Sequence, residues 1–299
     1  MSRREAPRDK RAAARRSIAQ DDGFKQLIYG LRWRVRGVRP GGHRGMGSGH
    51  FGTLRAMVPL ERCRDTRRID LHASLRDPFG RWYARDFTPL AAAKVCLLAD
   101  LSQSMAFDDG RLILLADLCE ALAAAARRNG DEFGLYACDQ AIREDLSAAP
   151  RRFPGHPETL AASLLGTAPA HAGIQGLIQA AGRLAGARKL VFLVSDFEFP
   201  SPLRDTLFDA LSPHDVVPVV LGDDVLDGLP DWGLIHLADL ESGRRRLVWL
   251  RPGLTRRWRN AARTAARELD AACARFGWRV LRLHGRLHLD VLARHLLTR

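Results

Sequence analysis

Asp100-Leu101-Ser102-Gln103-Ser104, following directly on Val95-Cys96-Leu97-Leu98-Ala99, is the stretch on which the reading of this chain turns. Five consecutive apolar residues suit a strand buried on both faces, and such a strand delivers its last residues to the rim of an open α/β sheet, where ligands bind. A carboxylate and two hydroxyls at alternate positions are then presented together. That donor set suits a Mg²⁺ or Mn²⁺ that keeps part of its water and leaves one position for a partner's carboxylate. The competing reading is local, since Asp or Ser after a strand often caps the next helix. A second fragment weighs against capping alone: Lys189-Leu190-Val191-Phe192-Leu193-Val194 is another buried-strand run, and it ends in Ser195-Asp196.

Outward from these two strands the pattern alternates. Leu115, Leu118, Cys119, Leu122, Ala125 and Ala126 form a helical stripe that ends near Asn129-Gly130, and Phe133 to Ala137 reads as a strand. Helical patterns follow around 158–166 and 174–185, then the strand ending at Asp196, a helix near 203–211 and a strand at 216–221. Strands alternating with helices predict an α/β fold with a doubly wound, mostly parallel sheet. Leu234 to Leu240 and Arg246 to Leu250 flank Ser242-Gly243, a hairpin signal. A long helix comes next, with Trp258, Ala261, Ala265, Leu269, Ala272 and Phe276 on its expected inner side and Arg256, Arg259, Arg263 and Arg267 on the other. A strand at 278–283 and a helix at 289–297 close the chain. The expected organisation is a basic, disordered tail at 1–20, a strand-rich region at 21–93, and an α/β domain at 94–299 with the hairpin inserted near 234–250.

The 299 residues are 46% apolar, enough for a sizeable core, and carry a net charge of +13. The charge is not uniform: residues 1–44 are net +9 and residues 244–299 net +12, which leaves the segment between them at −8. An acidic middle suits a cation at the Asp100 motif better than a phosphate. Five widely spaced cysteines, mostly inside apolar runs, fit reduced core thiols, and no zinc spacing is present. No apolar run approaches the roughly 20 residues of a membrane span, and the Arg-rich start lacks a signal peptide's apolar core. A cytoplasmic protein is expected.

Other motifs yield less. Gly41, Gly42, Gly45, Gly47 and Gly49 are dense enough for a phosphate loop, but no Gly-Lys-Ser/Thr opens a helix there, so a structural loop is predicted. Arg81-Trp82-Tyr83-Ala84-Arg85-Asp86-Phe87 alternates like an exposed strand, with Trp82, Ala84 and Asp86 on one face. Its arginines and aromatics suit cation–π edge packing, with nucleic-acid stacking as the alternative. The ten histidines are scattered, and none has a hydrolase or metalloprotease spacing.

The Asp100 motif, followed by helix, strand and a later strand ending in Asp196, resembles a von Willebrand factor A domain with its metal-ion-dependent adhesion site. Gly47-Ser48-Gly49-His50-Phe51, Arg67-Arg68-Ile69-Asp70, Leu229-Pro230-Asp231-Trp232-Gly233 and Asp239-Leu240-Glu241-Ser242-Gly243 are similar to the bacterial DUF58 family over about residues 40–299. That resemblance implies a domain of this type working beside MoxR-type AAA+ ATPases in the maturation or remodelling of client proteins. Asp100, Ser102, Ser104 and Asp196 are its implied metal residues. The chain departs from the family pattern where it has Gly173-Ile174-Gln175 in place of a loop threonine, the nearest being Thr167, and Leu71 where Trp is common after Arg-Ile-Asp.

The expectation is therefore a non-enzymatic adaptor. Two alternatives stay open. One is non-specific nucleic-acid binding through Arg3, Arg4, Arg8, Arg15, Arg16 and the 256–267 stripe, with the same stripe serving equally as a docking face for an acidic partner. The other is phosphoryl transfer with Asp100 as nucleophile, which lacks a second Asp two residues on, where this chain has Ser102.

Overall fold

The computed structural model describes residues 27–37, 39–47, 52–63, 65–106, 109–152, 155–167, 173–222, 230–238 and 245–298. The expected tail at 1–20, the Ser242-Gly243 turn and Ser48 to Phe51 lie outside them. Two compact units form. One comprises Leu31–Ala93 with Arg128–Asp131; the other comprises the described residues of Met1–Gly30, Lys94–Arg127 and Glu132–Arg299.

In the smaller unit β1 (His43–Arg44) pairs antiparallel with β4 (Leu90–Ala91), and β2 (Thr53–Pro59) with β3 (Tyr83–Thr88); a short helix, α1 (Leu71–Leu75), precedes β3. β3 alternates, with Ala84 and Asp86 buried, but Trp82, expected on their face, precedes the strand and is exposed. Asp70 of the Arg-Ile-Asp motif caps α1 by accepting from the Ala73 N–H at 3.0 Å and pairs with Arg85 at 2.7 Å. Those two contacts hold its carboxyl below the usual range. At Gly41 the glycine has a structural reason: a Cβ there would lie 2.3 Å from Ala92 Cα, so only glycine lets the two backbones approach.

The larger unit runs β5 (Lys94–Asp100), α2 (Asp109–Asn129), β6 (Glu132–Cys138), β7 (Ala148–Arg151), α3 (Pro157–Leu165), α4 (Gln175–Arg183), β8 (Leu190–Ser195), α5 (Ser201–Leu211), β9 (Asp215–Leu221), β10 (Gly233–Ala238), β11 (Arg245–Leu250), α6 (Pro252–Ala274), β12 (Leu281–Leu283) and α7 (Leu289–Thr298). Six strands form one sheet in the order β12-β9-β8-β5-β6-β7, parallel throughout except for the β6–β7 pair. β5 is buried on both faces, since Val95, Leu97 and Ala99 on one side and Cys96 and Leu98 on the other are all inaccessible. That is why its sequence is a continuous apolar run rather than an alternation. Helices α4, α5 and α6 contribute Leu177, Phe208 and Leu269 to a core with Cys96, Leu98, Val191 and Leu193. The β10–β11 hairpin forms its own antiparallel pair.

From β5 the chain moves to β6 on one side and then returns to β8 on the other. The strand order therefore reverses between β5 and β8, and their carboxyl ends open a crevice there. Ala99 pairs with Val194, which brings Asp100 level with Ser195 at that point.

One buried charge holds the entry to β8. Lys189 Nζ donates to the carbonyls of Leu184 (2.5 Å), Ala185 (3.1 Å) and Ala187 (3.1 Å) just beyond α4. Lys189→Met removes these charge-assisted bonds and should lower stability by about 1–3 kcal/mol, read as a lower urea midpoint. All five cysteines are free; Cys96, Cys119, Cys138 and Cys273 are buried, and Cys63 is half-buried.

The expected inner side of α6 is only partly covered. Leu269 and Ala272 are buried and Trp258 is half-buried, but Ala261 and Ala265 are exposed. The helix buries side chains near its two ends, while those of its middle turns are mostly exposed. Periodicity alone could not distinguish the two cases.

Candidate functional site

At the crevice between β5 and β8 lies a cavity of about 440 Å³ lined by Ser102, Ser104, Gln140, Gly173, Ile174, Gln175, Asp196, Glu198, Phe199, Pro200 and Leu203. Asp100 forms its support rather than its lining. The carboxylate is 1% exposed, with Oδ1 accepting from the Ser102 N–H at 2.8 Å and Oδ2 accepting from Ser195 Oγ at 2.5 Å. Burial, and secondarily the nearby Asp196 charge, outweigh these bonds and push the Asp100 carboxyl up to about 6.

Ser102 Oγ and Ser104 Oγ stand 3.0 Å apart. Asp196 approaches from the end of β8, with Oδ1 accepting from the Glu198 N–H at 3.1 Å. Its placement depends on Phe197, the one non-glycine residue at positive φ (59°) among the described residues. A left-handed conformation costs about 1–2 kcal/mol for such a residue. The Phe197 N–H bond to Ser195 Oγ and the ring's packing against Phe199 and Phe208 hold it there. Arg111 closes the arrangement, with Nη1 3.4 Å from Asp196 Oδ2 and 3.2 Å from the Ser104 carbonyl.

These residues fit a small divalent cation. Oxygens at about 2.1 Å around octahedral Mg²⁺ lie about 2.9 Å apart along an edge, close to the 3.0 Å between the two seryl oxygens. The donors are all hard oxygens. A carboxyl lifted to about 6 by burial also gains from any positive charge brought against it. Among the described residues no three His, Cys, Asp or Glu side chains converge, so a cation here depends on hydroxyls and water.

Asp100, Ser102, Ser104 and Asp196 are thus brought together. The threonine missing from the second loop is not supplied from elsewhere: Thr167 donates to the Ser163 carbonyl and is not among the lining residues, and Ile174 turns its side chain into the core. Gln175 also lines the cavity, and its Oε1 stands 2.5 Å from where a Cβ on Gly173 would be. Sequence reasoning noted Ser195 but not its bond to Asp100. It missed Arg111, Gln140 and Glu198, which carry no spacing signal, and named Gln175 only as part of the loop that lacks the threonine. Of the arginine stripe, Arg259 pairs with Asp231 at 3.5 Å, whereas Arg256, Arg263 and Arg267 are exposed.

Residues 62–270 match the family described as "Protein of unknown function DUF58". The chain is 36% identical over 105 residues to an "Uncharacterized protein in moxR 3'region" of Paracoccus denitrificans, a stretch that spans 35% of this chain and 92% of that protein. It is also similar to the crystal structure of a conserved hypothetical protein BatB from Bacteroides thetaiotaomicron (14% identity, TM-score 0.42, 69% of this chain and 98% of that one). An aerotolerance-related membrane protein from Bacteroides fragilis is similar at 15% identity and TM-score 0.42, over 69% of this chain and 97% of that one. Neither structural likeness is close enough to carry a conclusion about this chain.

Proposed function

This chain belongs to the DUF58 family, and from that premise we propose that it is a non-enzymatic adaptor with a von Willebrand factor A-like domain. Its cation-bearing sheet rim recognises an acidic side chain on a MoxR-type AAA+ ATPase or on that ATPase's client. The observation that carries this reading is the convergence of Asp100, Ser102, Ser104 and Asp196 where the strand order reverses, with the two hydroxyls at the spacing of an octahedral edge. The name of the Paracoccus relative, which sets that protein beside moxR, supports the ATPase as partner.

Ser102 and Ser104 offer their hydroxyl oxygens, Asp196 orients the surrounding water, and Asp100 supplies negative charge from below. Bound Mg²⁺ or Mn²⁺ would supply a Lewis-acid position open to one further oxygen. Gln140 and Gln175 flank the opening with amides able to donate to an incoming carboxylate. Phosphoryl transfer through Asp100 is disfavoured by burial, because both carboxylate oxygens are engaged inside the protein and neither faces the cavity.

Affinity purification of the tagged chain in Mg²⁺, in EDTA, and as Asp100→Ala tests the proposal. Recovery of a MoxR-type ATPase, alone or with one client, is expected in Mg²⁺ with the unaltered chain and lost in the other two conditions. Equal recovery in all three would sink the metal-bridged adaptor.

A further inference from the structure

The turn between α1 and β3 belongs to the smaller unit and has no part in the site above. Within twelve residues it exposes four large apolar side chains: Leu71 (60%), Leu75 (82%), Phe79 (78%) and Trp82 (52%). Leu71 and Leu75, four residues apart, share one face of α1.

The turn is built rather than loose. Asp77 Oδ2 accepts from the N–H groups of Phe79 (3.2 Å) and Arg81 (2.8 Å), and Gly80 takes the positive φ of 67°. At its base Ser74 Oγ donates to the Asp70 carbonyl at 2.7 Å and accepts from the Tyr83 N–H at 2.9 Å. These bonds hold Leu75 and Phe79 outward, against the ordinary tendency of such side chains to be covered.

Basic residues flank these apolar side chains in the sequence. Arg67, Arg76 and Arg81 are exposed, Arg81 lies 5.6 Å over the Phe79 ring, and no carboxylate among the described residues pairs with any of the three. The unit as a whole holds fourteen arginines against six carboxylates. Four of those carboxylates are engaged internally: Asp65 with Arg68, Asp70 with Arg85, Asp86 with Arg55, and Asp131 with His43. Asp77 is committed to the turn. By count the unit therefore carries eight more basic than acidic side chains.

Nucleic acid would explain the arginines and aromatics but not Leu71 and Leu75, which offer neither a stacking plane nor a hydrogen bond. An exposed apolar turn in a unit of net positive charge complements an extended, negatively charged surface with an apolar interior. We propose that this turn seats the protein on an anionic lipid surface. Leu75 and Phe79 enter the acyl boundary, Trp82 sits at headgroup level, and Arg67, Arg76 and Arg81 lie against the lipid phosphates.

The test is co-sedimentation of the full chain with extruded vesicles, of phosphatidylcholine alone or mixed seven to three with phosphatidylglycerol. Binding is expected with the mixed vesicles only. The double variant Leu75→Ser/Phe79→Ser should weaken it about tenfold or more at about 0.1 M salt. These side chains are on the surface, so an unchanged thermal midpoint confirms that the variant folds. The basic tail alone could hold the chain to anionic vesicles by charge, and such binding would survive the double substitution. Survival, or no binding to mixed vesicles at all, would overturn the proposal.

Discussion

Asp100→Asn will unfold at a higher temperature than the unaltered protein in EDTA at pH 7.5, and Mg²⁺ will no longer stabilise it. Burial raises the Asp100 carboxyl to about 6 from the ordinary 3.8 of an aspartate. The folded state therefore holds the proton more tightly than the unfolded chain does. The unaltered protein loses stability as pH rises through the window from about 4 to about 6, by about 3 kcal/mol in all, and the deficit stays constant above it. Asparagine carries no charge to desolvate and keeps the acceptor for the Ser102 N–H. It forfeits the hydrogen bond donated by Ser195, at about 1 kcal/mol. The net gain is about 1–2 kcal/mol at pH 7.5, or roughly 2–6 °C in thermal midpoint. It should shrink as pH falls below about 6 and reverse near 4. In the unaltered protein about 10 mM Mg²⁺ should raise the midpoint, by about 1.4 kcal/mol for a Kd near 1 mM. A variant less stable than the unaltered chain at pH 7.5 in EDTA would show that Asp100 is held for structural reasons alone.

Gly176→Ala has the opposite sign and should be the most damaging single methyl near the cavity. A Cβ at this second residue of α4 would meet only backbone: Ala141 O at 2.5 Å, Ala141 C at 2.6 Å and Asp139 O at 2.7 Å. No side chain can swing aside, so α4 must lift from the loop after β6, breaking the Gly176 N–H bond to the Asp139 carbonyl. Ile174 then loses its core position, and Gln175 loses the cavity. A loss of about 2–4 kcal/mol is expected in urea denaturation, together with loss of Mg²⁺ stabilisation. Gly182, also in α4, has open space around its Cβ position. Gly182→Ala should stabilise by about 0.5–1 kcal/mol, and equal damage at both positions would refute the steric account.

The parts of the molecule legible from sequence are those where one local rule dominates. β5 and β8 announced themselves because strands covered on both faces leave no room for polar residues, and Asp100, Ser102, Ser104 and Asp196 stood out because they interrupt those runs at the rim. Arg111 and Asp196 lie 85 residues apart and meet only through the return of the chain to β8, so nothing local marks the pair. The same holds for Gln175, whose reach depends on the positive φ of Gly173. In α6 the period of the apolar residues was correct and the burial of Ala261 and Ala265 was not, since a period says which residues share a face and not what that face meets.

The thiols give the chain its own unfolding probe. Burial pushes Cys96 and Cys273 up to about 12 and Cys138 upward as well, so at neutral pH almost none of these exists as the reactive thiolate. Cys63 alone is partly open to solvent. A maleimide in slight excess should therefore attach one label per native molecule and five once the chain opens, so that counting adducts by mass follows the opening of the sheet with no engineered reporter.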